Sequence, residues 1–294
     1  MKSFNRLKAL FSRMERMDII VNNNVVRQSY QQLFMQSSGV GIQPEKYPEG
    51  ELIITLTSYG NKLQSLYLTI ESLLHQTIKP NKILLWLDEK LYSNINMIPL
   101  ALQRQKERGL EIKLCEDIRS YTKLVPALIN YPDAIVISVD DDMIYPIDFV
   151  ERLYRAYQND GSKIYFYRGH YMLFNSDGSP KSYMEWVSHG ANGSNIYNVP
   201  TGVSGVLYPP RCYHDDMTNK ELFLNLCPYA DDVWFKAMTY LKGTLCEKIE
   251  LFNYDRLFIP LDIDESNSLQ SMNVKRGAND EQIKKVFDYY QIKG

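Results

Sequence analysis

The stretch Ala134-Ile135-Val136-Ile137-Ser138-Val139-Asp140-Asp141-Asp142 decides the architecture of this chain. Its uncharged run, rich in β-branched side chains, reads as a strand buried on both faces, and such strands belong to parallel sheets covered by helices. Three consecutive carboxylates at the end of that strand repel one another unless a cation or solvent stands against them. A hard divalent ion such as Mg2+ or Mn2+ takes carboxylate oxygens and leaves coordination positions open for phosphate. The competing reading is a solvated acidic turn. Placement at the end of a buried strand favours the cation.

Upstream, strands and helices alternate. Leu52-Ile53-Ile54-Thr55-Leu56-Thr57 predicts a strand, Ser58-Tyr59-Gly60-Asn61 a turn, and Leu63, Leu66, Tyr67, Ile70, Leu73 and Leu74 mark one face of a helix ending near Gln76. Lys82-Ile83-Leu84-Leu85-Trp86-Leu87 predicts a second strand with Asp88 at its carboxyl end. A helix over 98–108, a third strand over 111–115 and a short helix over 122–130 complete the series. This β-α-β-α-β order predicts an α/β fold with a mostly parallel central sheet flanked by helices. Ligands of such sheets bind at the carboxyl ends of the strands, the edge on which Asp88, Asp117 and Asp140 to Asp142 all fall.

Downstream the pattern loosens. A helix is expected over 148–158, a strand over 163–167, and a long irregular region from Tyr183 to Tyr197. Gly202-Val203-Ser204-Gly205-Val206-Leu207-Tyr208-Pro209-Pro210 reads as a glycine-hinged strand stopped by prolines, and Asp231-Asp232-Val233-Trp234 opens a helix whose dipole alone favours two acidic residues there. Asn279 or Asp280 caps a last helix through about Tyr290.

The N-terminus is different in kind. Phe4, Leu7, Leu10, Phe11 and Met14 recur at helical spacing among Lys2, Arg6, Lys8, Arg13 and Arg16, with only Glu15 opposing them. A basic amphipathic helix of this sort suits docking on its own domain, a homo-oligomer contact, or peripheral contact with an anionic membrane. Ser37 to Gly50 reads as a linker. The expected organisation is an N-terminal helix and linker over 1–48, the α/β domain over 49–260, and a C-terminal tail and helix over 261–294.

Composition sets the outer bounds. With 294 residues, 45% hydrophobic and 23% charged, the chain can bury one large core. A net charge of -2 provides no field that would select nucleic acid as a partner. Its 22 tyrosines suit sugar-binding clefts, although many of those rings belong to the core. Cys115, Cys212, Cys227 and Cys246 form no CxxC pair, which argues against structural zinc and for a reducing compartment. No apolar run reaches the roughly 18 to 20 residues of a membrane span, and no signal-peptide core is evident, so the expected location is cytoplasmic, with the inner membrane face as a peripheral site.

These motifs, taken together and in order, resemble the family 2 glycosyltransferases, whose nucleotide-sugar-binding fold is called GT-A. Ile54 to Lys62 is similar to their opening strand and turn, Ile70-Glu71-Ser72-Leu73-Leu74-His75-Gln76-Thr77 to their first helix, and Pro80 to Asp88 to their second strand. Val139-Asp140-Asp141-Asp142 resembles the metal-binding DxD motif, and Ala230-Asp231-Asp232 the later acidic pair that supplies a catalytic base. The resemblance spans about 52–243. Three departures stand out: the usual glycine-rich stretch before the DxD strand is Asp117 to Leu124, the later pair is Asp-Asp where Glu-Asp is common, and no histidine follows His214.

The resemblance implies a metal-dependent, inverting glycosyltransferase that moves a sugar from a nucleotide-diphosphate donor, UDP-sugar favoured, to a hydroxyl of a saccharide or lipid-linked acceptor in surface polysaccharide biosynthesis. It places Mn2+ or Mg2+ on Asp140 and Asp142, and the donor against Thr57, Tyr59, Asp88, Lys123, Asp140, Asp141 and Gly205. Asp232 is the expected general base, with Asp231 beside it as the alternative or as an acceptor ligand. Gly202 and Gly205 permit close backbone approach to a sugar, Trp186 and Trp234 are candidate stacking rings, and His170 and His189 read as structural hydrogen-bonders. Arg119 joins Lys123 as a candidate diphosphate contact. The rival readings are a nucleotidyltransferase acting on sugar phosphates, for which Ser58 to Lys62 makes a poor triphosphate loop, and a noncatalytic carbohydrate-binding protein of the same fold.

Overall fold

The computed structural model describes residues 2–188, 190, 192–261 and 278–294, with side chains from Arg13 onward except those of Ile95 and Ala278. In chain order the first half runs α1 (Lys2–Gln36), β1 (Leu52–Thr57), α2 (Leu66–Leu74), β2 (Lys82–Asp88), α3 (Glu89–Tyr92), α4 (Leu100–Lys106), β3 (Leu110–Cys115), α5 (Val125–Asn130), β4 (Ile135–Ser138), β5 (Met143–Ile144) and α6 (Phe149–Asn159). The second half runs β6 (Ile164–Phe166), β7 (Gly169–Tyr171), β8 (Val187–Ser188), β9 (Ser194–Asn195), β10 (Asn198–Pro200), β11 (Val206–Tyr208), α7 (Lys220–Leu226), α8 (Asp231–Leu241), β12 (Cys246–Lys248), α9 (Tyr254–Leu257), β13 (Ile259–Pro260) and α10 (Ala278–Tyr290).

Eight strands form the central sheet, in the order β3-β2-β1-β4-β11-β6-β12-β9. The four strands β3, β2, β1 and β4 are mutually parallel. The glycine-hinged β11 runs antiparallel to both β4 and β6. Alternation across the pleat explains the uninterrupted apolar runs. Ile53, Leu84 and Val136 point into one hydrophobic layer with Leu128, Trp234 and Phe235, whereas Ile54, Leu85 and Ile137 point into the other with Leu73, Phe149 and Leu153. Each such side chain, fully removed from water, contributes about 1.5–3 kcal/mol.

The N-terminal helix is longer than its amphipathic signal and runs on to Gln36. Its second half lies on α2 and β13: Phe34 meets the Tyr67 ring at 4.9 Å, and Val26 and Tyr30 pack with Leu68, Ile144, Ile259 and Leu261. The expected linker is also pinned down. Gly41 donates its N–H to Arg108 O at 2.8 Å, and a Cβ built there would lie 2.6 Å from Leu74 O. Beneath it, the fully buried Glu71 accepts from Arg108 Nη1 at 2.7 and 2.8 Å and from Gln105 Nε2 at 2.9 Å, with His75 Nε2 also at 2.9 Å. This network locks α2 to α4.

Candidate active site

Parallel pairing of β1 with β4 brings the turn after β1 beside the acidic end of β4. Lys62, in the 3-10 turn Gly60–Gln64, places its Nζ 3.1 Å from Asp141 Oδ1 and 3.2 Å from Asp142 Oδ2. Thr69 Oγ1 donates to Asp141 O at 3.1 Å, and the Tyr145 hydroxyl accepts from Asp140 N at 2.9 Å, so the backbone of the triplet is anchored on both sides. Burial, reinforced by the charges of Asp140 and Asp141, pushes the Asp142 carboxyl up to about 6 despite Lys62. Burial likewise raises Asp141. Lys62 is held above its ordinary value because, although burial opposes the charge, Asp141 and Asp142 more than compensate.

The second acidic pair arrives from the other half of the chain and meets the first. Lys123 Nζ lies 3.3 Å from Asp140 Oδ1 and 3.0 Å from Asp231 Oδ2. Its own backbone is held in place, since Lys123 O accepts from Thr55 Oγ1 at 2.7 Å and Thr55 Oγ1 accepts from Trp86 Nε1 at 2.9 Å. Gly202 N donates to Asp232 Oδ1 at 3.0 Å. A Cβ built on Gly202 would stand 2.3 Å from Lys123 Nζ and 3.4 Å from carboxylate oxygens of both Asp140 and Asp232. Residues 123, 140, 202, 231 and 232 therefore line one small space, and any side chain at 202 would displace the Lys123 ammonium. Left-handed backbone at Ser204 (φ 79) and Gly205 (φ 86) delivers that loop from β11.

Asp232 has the electrostatics of a base poised near neutrality. Burial, then the charges of Asp231 and Asp140, push its carboxyl up to about 7 against the opposing pull of Lys123 and the Gly202 N–H. Lys123 stays well above its usual value, because the charges of Asp140, Asp231 and Asp232 outweigh the effect of its burial.

Other expected residues fall into place less uniformly. Thr57 Oγ1 donates to Trp86 O at 2.9 Å, and Asp88 Oδ1 caps α3 by accepting from Lys90 N at 3.0 Å, both at the carboxyl edge of the sheet. Tyr59 is 60% exposed, so it does not plug the core, and Lys62 Nζ sits 5.8 Å from its ring centroid. Arg119 turns away from the carboxylates, donating to Pro228 O at 3.2 Å and lying 4.3 Å from the Tyr229 ring centroid. Gly205 requires correction: its side-chain space is filled by the Phe149 ring, 2.5 Å from a built Cβ, so the close approach it permits is to the core and not to a ligand. Trp186 is also corrected, being buried with Nε1 donating to Lys181 O at 3.1 Å. Trp234 is fully buried in the core. His170 packs edge-on against Tyr183 at 5.2 Å, and His189 lies outside the described residues.

One site residue escaped sequence reasoning: Lys62, whose available signal was a basic side chain in the turn of the strand next to the acidic one. Gly202 was expected to permit close backbone approach, and of that glycine pair it is the one that lines the cleft.

Among the described residues, no three His, Cys, Asp or Glu side chains gather as a self-sufficient metal cage. The donor set nonetheless fits a hard cation bound in an open fashion. Asp140 and Asp142 side chains remain 24% and 29% exposed, so their oxygens are open to an ion from the cleft, and burial together with the neighbouring Asp140 and Asp141 charges raises the Asp142 carboxyl despite Lys62.

The fold is of the GT-A, nucleotide-diphospho-sugar transferase type. The chain is similar to the mannosyltransferase PcManGT of Pyrobaculum calidifontis, solved with GDP-Man and Mn2+, with a TM-score of 0.52 at 10% identity over 94% of this chain and 74% of that one. A looser likeness, with a TM-score of 0.40 at 13% identity over 68% of this chain and 89% of the other, is to CMP:2-keto-3-deoxy-manno-octonic acid synthetase complexed with CTP. No protein-family model and no curated protein matches the sequence.

Proposed function

We propose that this protein is a metal-dependent, inverting glycosyltransferase that transfers a sugar from a nucleotide-diphosphate donor to a hydroxyl of a saccharide or lipid-linked acceptor, in the assembly of surface polysaccharide. The observation that carries this is the meeting of Asp140 with Asp231 and Asp232 around Lys123 and Gly202, from segments about ninety residues apart. A carboxylate pushed up to about 7 by burial and its acidic neighbours, as at Asp232, is matched to removing a proton from an attacking hydroxyl at neutral pH. A single displacement with one base inverts the anomeric centre.

Charge on the departing diphosphate needs a counterpart. A divalent ion held by Asp140 and Asp142 would supply Lewis-acid stabilisation there. Lys123 and Lys62, both charged and both already at the carboxylates, would orient toward phosphate oxygens. Asp231, paired with Lys123 at 3.0 Å, holds that ammonium in position. Tyr59, 60% exposed, and Asp88, at the end of β2, would face a nucleotide base in this reading.

The test is a panel of UDP-, GDP- and CMP-sugars screened for thermal stabilisation with Mn2+ or Mg2+, followed by product analysis with candidate acceptors. Release of nucleoside diphosphate, lost in Asp232→Asn and Asp142→Asn variants that melt normally, is the expected result. Pyrophosphate release would instead identify a nucleotidyltransferase, and donor binding without turnover a carbohydrate-binding protein.

A further inference from the structure

The face that α1 turns away from the body carries a row of exposed apolar side chains. Ile19, Asn22, Asn23, Val26, Arg27, Tyr30, Leu33 and Phe34 are half-buried at helical spacing and mark the side that packs. Met14, Met17, Val21 and Val25 lie on the opposite side at spacings of three and four, with relative exposures of 58%, 65%, 59% and 56%. Side chains from Arg13 to Asp18 are all exposed, and apart from the ion pair of Asp18 with Arg256 the helix packs on the domain only from Ile19 onward. At 1.5 Å per residue, the part ahead of Ile19 extends about 25 Å.

Charge distinguishes what can cover this face. Residues 2–18 carry five basic and two acidic side chains, a net +3 on a chain whose total is -2. One of the two acids, Asp18, is already paired with Arg256 on α9. A second copy laid along the same face would bring the same excess of positive charge and nothing to answer it. An anionic lipid surface answers both features, taking apolar side chains into the headgroup boundary and neutralising the arginines beside them.

We propose that α1 docks the protein onto an anionic bilayer through the Met14, Met17, Val21 and Val25 face, with Arg13 flanking it at the headgroups and Arg16 adding to the positive field of the helix. The body is tied to this helix near the acidic strand end. Arg27 donates to Pro260 O, β13 pairs antiparallel with β5, and Leu261 N donates to Asp142 O at 2.8 Å. A docked α1 thus holds the carboxylate cleft at a set height above the membrane, which, resting on the glycosyltransferase reading, suits a lipid-linked acceptor.

Flotation of the full chain with phosphatidylglycerol or phosphatidylcholine vesicles, at low and high salt, tests this. Expected is binding to phosphatidylglycerol at least about tenfold tighter than to phosphatidylcholine and weakened by salt. The doubly substituted Met17→Glu/Val21→Glu and Arg13→Glu/Arg16→Glu proteins should each lose about tenfold or more while keeping wild-type circular dichroism and melting temperature. Equal binding to both lipids, or binding indifferent to both variants, overturns the proposal. So does a wild-type dimer, dissociated by Met17→Glu/Val21→Glu without vesicle binding, which would assign the face to a second copy. The readout is binding alone, so its failure is separable from failure of the donor-site proposal, which is read by turnover.

Discussion

Replacing Lys123 by methionine should unfold part of the stability of this protein in a pH-dependent way. The ammonium stands 3.3 Å from one carboxylate oxygen of Asp140 and 3.0 Å from one of Asp231, and it is nearly inaccessible to solvent. At an effective dielectric of about 20, each contact is worth about 5 kcal/mol of gross attraction. Much of that is offset by the cost of burying the charges. Removing one partner of such a buried cluster, which strands the others, typically destabilises by about 3–5 kcal/mol. Methionine keeps most of the side-chain volume, so lost packing contributes little.

The pH dependence separates electrostatics from packing. Lys123 is held above its ordinary value, so it is fully charged in both folded and unfolded chains below pH 9 and adds no slope of its own. Its removal takes away the cation that opposes the rise of Asp232, already pushed up to about 7, and that faces Asp140 and Asp231. Carboxyls raised in the folded state bind protons there that the unfolded chain does not hold, so stability increases as pH falls toward the unfolded values. The variant's deficit should shrink between pH 8 and pH 5.5 by about 1.4 kcal/mol per pH unit for each extra proton held. Urea unfolding followed by fluorescence of the buried Trp86, Trp186 and Trp234 measures both values. An equal deficit at the two pH values, or none at pH 8, would refute the assignment of Lys123 as the shared counterion.

Four further outcomes follow from the same geometry. Because Asp232 must be ionised to accept a proton, kcat/KM should rise with pH through about 7, and Asp232→Asn should remove that limb with a loss of about 10²–10⁴ in turnover; a pH–rate profile decides. A Cβ built at Gly202 lies 2.3 Å from Lys123 Nζ, so Gly202→Ala should push that ammonium off Asp140 and Asp231 and lower turnover by about a hundredfold with an intact circular dichroism spectrum. Calorimetric Mn2+ affinity should fall steeply below pH 6, since a proton on Asp142, pushed up to about 6, competes with the ion, and Asp142→Asn should abolish binding. Arg108→Ala leaves the fully buried Glu71 without its cation and should lower unfolding free energy by about 3–5 kcal/mol without touching the donor site, as read in urea.

What could be read in the chain beforehand follows from how locally each feature is encoded. β1 was legible to the residue, Leu52 to Thr57, because a strand covered on both faces has to be apolar throughout and its polar neighbours delimit it. The helix from Asp231 was legible for the same kind of reason, and the carboxyl-edge rule put Asp140 and Asp88 on one side of the sheet. The reach of α1 was underread: beyond Asp18 its packing side mixes asparagine and arginine with Val26 and Tyr30, and a helix lying on a polar-edged surface has a weak apolar period. Cross-chain partners were barely legible. Lys62, which faces Asp141 and Asp142, carried no more signal than its place in the turn after the neighbouring strand, and nothing local distinguishes the Glu71 that meets Arg108 from an ordinary exposed helix glutamate. Gly205 was misread because two glycines three apart carry the same conformational licence while facing opposite ways, one into the cleft and one onto Phe149.

Charge also explains why the two lysines belong in the site. With Asp140, Asp141, Asp142, Asp231 and Asp232 ionised, Lys62 and Lys123 leave three negative charges uncompensated, and that excess adds to burial in raising the Asp142 and Asp232 carboxyls. A diphosphate entering alone would add charge of the same sign to a partly desolvated cleft. Entering with a divalent cation it would add little or none. A cation held by Asp140 and Asp142 would take over carboxylates that the lysines now face, while Asp231 would keep its hold on Lys123. On the glycosyltransferase reading, the lysines would serve the ligand-free fold and the departing diphosphate by one property, a strongly held proton, and exchange of their partners would couple metal binding to donor binding.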